Sequence, residues 1–168
     1  MNWFIAALLL PIPLAHLWLH ALLPFWRRHT ILFYTFSIAL WFASLAWFWR
    51  IQGFSPSIFD PSVALTWVGY SLTAFGFFLA IWSSVTLGYK RFLVWVVLKP
   101  ETFEHTFIIK GPFRHFPHPA YTGYIIAAMG NLLSSGEAFA AGVCILLLFF
   151  IPIMIYFEEA ELQKRLGL

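Results

Sequence analysis

Charge is scarce in this sequence. Asp, Glu, Lys and Arg together supply 10% of the residues, where a soluble domain carries about a quarter. Hydrophobic residues reach 61% and mean hydropathy is +0.81. A core of 168 residues could not hide that much apolar surface from water, so a soluble fold is excluded and lipid is the solvent for most of the chain. Cysteine is nearly absent. Cys144 alone permits no internal disulfide and no cysteine metal cluster, and its apolar run makes it a small core residue. A basic stripe interleaved with exposed aromatics is also missing, which argues against nucleic acid binding despite a net charge of +3. Heptads, repeats and low-complexity tracts are not evident. The first apolar segment is long and has no basic stretch before it, so no cleavable signal peptide is expected.

What the chain has in excess is apolar length. Aromatics make up 21%, suiting lipid-facing helices and interfacial belts. Runs of roughly 20 apolar residues mark bilayer spans, and five are expected: about Trp3–Trp26, kinked by Pro11 and Pro13; Ile31–Trp49; Val63–Gly88; Ala120–Leu133, which is short; and Ala138–Phe157. The fold class is therefore all-α, an integral membrane bundle forming a single domain over 1–168. Three spans occupy 1–88, a loop 89–118, and a C-terminal helical hairpin 119–168. All basic residues except Arg50 fall on one side of this arrangement: Arg27, Arg28, Lys90, Arg91, Lys99, Lys110, Arg114, Lys164 and Arg165. The positive-inside rule makes that side cytoplasmic, with the N-terminus outside and the C-terminus inside. The loop holds the apolar stretch "FLVWVVL" (92–98), too short to span, which either prolongs the third helix or lies in the interface.

Few polar groups sit near these spans, and those that do carry the chemistry. Glu158, Glu159 and Glu161 close the last span. They read either as a solvated helix end or as acids that oppose the helix dipole and call for a cationic partner. The stretch "GPFRHFPHPAYTGY" (111–124) crowds prolines, histidines and glycines before an apolar segment. Pro119 suits the first helical position, which puts His118 at or near the N-cap, beside backbone N–H groups that suit carboxylates and phosphates. Gly123 permits close approach of a backbone or a ligand. His16 and His20, spaced i, i+4, have metal-ligand spacing. No carboxylate or cysteine in their segment completes a set, so they read as packing or hydrogen-bonding histidines and no metal is expected.

In order, "HTFIIKGPFRHFPHPAYTG" (105–123) and then "EEAEL" (158–162) resemble the motifs of the isoprenylcysteine carboxyl methyltransferase family, which is related to the phospholipid N-methyltransferases among small integral membrane methyltransferases. The likeness covers roughly the C-terminal third. It implies S-adenosylmethionine as cofactor. Carried over by position, His105, Thr106, Phe107, Ile108, Phe113, His118, Pro119, Ala120, Tyr121 and Gly123 would line the cofactor pocket, and Glu158 would answer a positive group of the cofactor. The acceptor implied is lipidic or prenylated, entering sideways from the bilayer to an active site on the cytoplasmic face.

The sequence departs from the family at several points. Pro117 stands where an Arg precedes the His, and Phe113 lacks the usual phenolic hydroxyl. Met154 occupies the place of an Arg implicated in substrate recognition, which favours an acceptor without a carboxylate to clamp, or a different clamp such as Arg114. Two alternatives follow from the same motifs. Membrane sterol and steroid reductases resemble this family in their C-terminal helices and use NADPH, but carry Asn where this chain has Ala120. A catalytically inactive homologue is the other. The sequence assigns no general base and leaves the acceptor and the oligomeric state open.

Overall fold

The computed structural model of the chain describes residues 2–102 and 108–166. Helices α1 (Asn2–Leu9) and α2 (Pro11–Ala21) form one broken apolar rod. The break falls at Leu10, where Pro11 and Pro13 remove two backbone donors. The expected first span thus divides, and its remainder becomes a separate short helix α3 (Leu23–Arg28), with Pro24 in its first turn. Helix α4 (Thr30–Ile51) runs back and ends in a 3-10 turn, Gln52–Phe54. Helix α5 (Val63–Leu87) returns, capped by the Ser62 hydroxyl, which accepts from Leu65 N. The short helices α6 (Tyr89–Phe92) and α7 (Trp95–Leu98) follow. Helices α8 (Pro119–Ser135) and α9 (Ala138–Leu166) complete the bundle. No strand occurs among the described residues, only an isolated antiparallel bridge between Ser57 and Glu137.

Four stretches are long and apolar enough to cross a membrane: Asn2–Ala21, Thr30–Phe54, Val63–Leu87 and Ala138–Lys164. Helix α8 stands in the place of the expected span Ala120–Leu133. Its 17 residues reach about 25 Å at 1.5 Å per residue, short of the roughly 30 Å hydrocarbon layer. Helix α9 runs on to Leu166 rather than stopping near Phe157, and Pro152 does not interrupt it. Glu158 and Glu159 therefore lie two turns inside the helix, beyond the last turn where the dipole acts on a charge.

"FLVWVVL" does not prolong α5. Gly88, at φ 79°, ends that helix, and Val94, at φ 53°, separates α6 from α7. The segment folds back on the start of the chain. Tyr34 donates its hydroxyl to Leu93 O at 2.7 Å, and its ring stacks on Trp95. Leu98 is buried in a cluster with Leu19, Leu23, Trp26 and Phe33.

The tightest contact in the bundle joins α5 to α8, which run antiparallel. Gly69, Gly76 and Ser83 on α5 recur every seven residues, with Thr73 and Ala80 between them; Gly123 and Gly130 on α8 do the same, with Ala127 and Ser134. All nine are buried. Small residues let the two backbones touch, as is common between membrane helices. A Cβ added at Gly123 would lie 2.5 Å from Gly76 O, and one at Gly130 would lie 2.5 Å from Thr73 N. A seven-residue period implies a left-handed crossing. The seam fixes α8 against α5 and turns its other face, with Tyr121, toward α9.

Candidate functional site

The polar residues of the two C-terminal motif pieces meet at the end of the bundle that carries most of the basic residues. His118 takes the N-cap position of α8 and Pro119 the first turn, as the spacing implies. The His118 side chain does not cap the helix. Its Nε2 lies 3.1 Å from Glu159 Oε1 on α9, and its ring stacks near-parallel on Tyr121 at 6.0 Å. Tyr121, 7% exposed, donates its hydroxyl to Glu158 Oε1. One helical turn on, Tyr124 tilts against Tyr121.

Helix α2 closes the cluster from the other side. His16 Nδ1 lies 3.2 Å from Ile12 O, and its Nε2 lies 3.6 Å from Glu158 Oε1. The His16 ring meets Tyr121 edge-on at 5.9 Å. His20, one turn further, stacks on Phe157 at 5.6 Å. At the foot of the cluster Arg27 donates through Nη2 to Glu161 Oε1 and through Nε to Val97 O at 3.1 Å. The cationic partner that the acid cluster called for is therefore Arg27, for Glu161, while Glu158 and Glu159 face histidines.

The other candidates fall elsewhere. His105, Thr106 and Phe107 lie outside the described residues. Ile108 is part-buried in irregular chain. Phe113 is part-buried and Arg114 exposed in the 3-10 turn Gly111–Arg114, which rests on α5 where Gly111 approaches Thr86. Pro119 is buried and Ala120 partly so. Gly123 belongs to the α5 seam rather than to the cluster: the backbone it admits is that of Gly76. Met154, one turn before Glu158, is fully buried among Ile12, Tyr121 and Leu147 and has no open surface for an acceptor.

Chemically the cluster is acidic, aromatic and partly open. The side chains of His16, His118 and Glu158 are 21%, 24% and 29% exposed, and that of Glu159 is 57% exposed. A sulfonium or ammonium group fits beside the two carboxylates, and a carboxylate fits the first-turn N–H groups of α8. The donor set is thus compatible with S-adenosylmethionine. Among the described residues no group of three or more His, Cys, Asp or Glu could hold a metal ion. The sequence marks His16 as a packing or hydrogen-bonding histidine and Arg27 as a basic residue of the cytoplasmic side, and neither as part of the site. The i, i+4 spacing of His16 and His20 was the available signal, since both rings face α9.

The family model described as phospholipid methyltransferase matches residues 64–167, well over half of the chain. That stretch holds α5, α8 and α9, and leaves α1 to α4 outside. No curated protein and no solved structure matches the chain.

Proposed function

The chain belongs to the phospholipid methyltransferase family, a family of membrane methyltransferases, and we propose that it methylates a lipidic acceptor using S-adenosylmethionine at the cluster between α2, α8 and α9. One observation carries the assignment: Tyr121 of the first motif donates to Glu158 of the second, which unites pieces far apart in sequence in a partly exposed acidic cluster. The cofactor supplies an electrophilic methyl group on a cationic sulfur. Glu158, with Glu159 beside it, holds the positive charge near the start of α8. Tyr121 fixes the Glu158 carboxylate in place, and His118 does the same for Glu159. Such a transfer is a direct displacement, so alignment and exclusion of water are the main tasks of the protein. The acceptor enters sideways from the bilayer, and a prenylated or an amine-bearing lipid fits that route. The basic end of the bundle faces the cytoplasm, with the N-terminus on the other side.

Equilibrium binding to the detergent-purified protein tests this. S-adenosylmethionine and S-adenosylhomocysteine bind, NADPH does not, and Glu158→Ala weakens the first two by roughly 10- to 100-fold, the value of a hydrogen bond to a charged group. Binding of NADPH alone would transfer the protein to the reductases. Unchanged affinity in Glu158→Ala would place the cofactor elsewhere.

A further inference from the structure

Methyl transfer to an N–H or O–H nucleophile releases a proton, and the described residues that the two motif pieces bring into the cluster are already engaged with one another. Glu158 already accepts from Tyr121, and His118 is held against Glu159. We propose that His16, on α2 and outside the matched stretch 64–167, is the general base of the reaction, an assignment that rests on the methyl-transfer reading above.

The geometry sets the tautomer. His16 Nδ1 faces the carbonyl of Ile12 at 3.2 Å. A carbonyl only accepts, so Nδ1 carries the proton and the neutral ring has its lone pair on Nε2. That nitrogen points at Glu158 Oε1 across 3.6 Å, beyond a normal hydrogen bond. Two acceptors thus face each other across a gap that is partly open: the two side chains are 21% and 29% exposed. An N–H or O–H donor that approaches from the open side, rather than between the two atoms, can reach either acceptor at hydrogen-bond distance. Glu158 from α9 and Tyr121 from α8 are the titratable groups that meet the ring from the elements packed on it.

The step balances. The nucleophile's lone pair forms a bond to the methyl carbon, the carbon–sulfur bond breaks with its electrons left on sulfur, and the nucleophile's proton passes to His16 Nε2. The imidazolium so formed lies against the Glu158 carboxylate, whose charge stabilises it as it develops. His16 donates at rest through one nitrogen only, and the backbone of its own helix holds the ring in register for the other to act.

Two readouts test the assignment. Nitrogen-15 NMR of the histidine-labelled protein in detergent at pH 8 should show His16, identified by its loss in His16→Gln, as the Nδ1–H tautomer. An Nε2–H tautomer or a doubly protonated ring would overturn the proposal. Single-turnover methylation is then measured with S-adenosylmethionine and phosphatidylethanolamine vesicles, whose headgroup nitrogen carries the proton to be removed. His16→Gln should lower the rate roughly 10²- to 10⁴-fold, the usual share of a general base, with affinity for S-adenosylhomocysteine held within about threefold as proof of folding. Added imidazole should restore part of the rate in His16→Gly. A His16→Gln rate within about threefold of wild type, with cofactor bound normally, would overturn the base assignment alone. Failure of the wild-type protein to bind either sulfur compound would overturn the parent reading, and the base assignment with it.

Discussion

The α5–α8 seam makes a sharp quantitative forecast at Gly76. A Cβ there would lie 2.5 Å from Ala127 N, 2.5 Å from Gly123 O and 2.9 Å from Ala127 Cα. Ordinary contact begins near 3.4 Å, so Gly76→Ala drives the two helices apart locally by close to an ångström. A gap of that size forfeits about a quarter to a half of the dispersion energy of the atoms lining it. Overpacking costs about 1–3 kcal/mol, and backbone atoms cannot rotate out of the way, which sets the cost near about 3 kcal/mol. Alanine's better helix propensity returns about 1 kcal/mol. The expected net loss is about 2 kcal/mol, or a fall in Tm of about 4–8 °C for a chain of this size.

Thermal unfolding of the detergent-solubilised protein reads this directly, and Gly142→Ala is the control. Gly142 lies on the exposed face of α9, and a Cβ there meets nothing within 4 Å, so that variant should be neutral or up to about 1 kcal/mol more stable. Gly130→Ala should resemble Gly76→Ala. The double variant should lose less than the sum, because one separation of the helices relieves both clashes. Since α8 carries Tyr121, Gly76→Ala should also weaken cofactor binding. Equal stability of Gly76→Ala and Gly142→Ala would refute the close backbone packing on which this reasoning stands.

Two further outcomes are expected away from the seam. Arg27→Ala removes the bonds to Val97 O and Glu161 and should cost about 1 kcal/mol, the upper value for a partly exposed pair; hydrogen exchange should quicken roughly fivefold in α7 and stay unchanged in α5 and α8. Gly136→Ala should be far more damaging than Gly88→Ala in the same unfolding assay. Both glycines have positive φ, at 64° and 79°: Gly136 is left-handed, costing alanine about 1–2 kcal/mol, and Gly88, at ψ 148°, lies in a region kept for glycine that costs about 1–3 kcal/mol, but only at Gly136 does the new Cβ fall 1.9 Å from a backbone oxygen, that of Phe59.

The long helices were readable in the sequence because lipid imposes a length as well as a composition. Runs such as Val63–Leu87 leave no other assignment. The end of α9 was not, since Glu158, Glu159, Glu161 and Lys164 are compatible with either a helix or a loop outside the hydrocarbon, and docking on Arg27 supports the helix. The seam corrects the expectation of no heptads for a different reason: in lipid the large apolar residues face outward, and the repeat that matters is of Gly, Ala, Ser and Thr at seven-residue spacing. The same inversion governs the site. His118, Tyr121 and Glu158 were legible through motif order, and the fold brings them together as that order implies. His16 was not, because an i, i+4 histidine pair is the same string whether it faces lipid, a metal or a carboxylate. Only the docking of α2 on α9 sets its Nε2 before Glu158, so the part of the chain outside the matched family stretch supplies a ring nitrogen to the cluster.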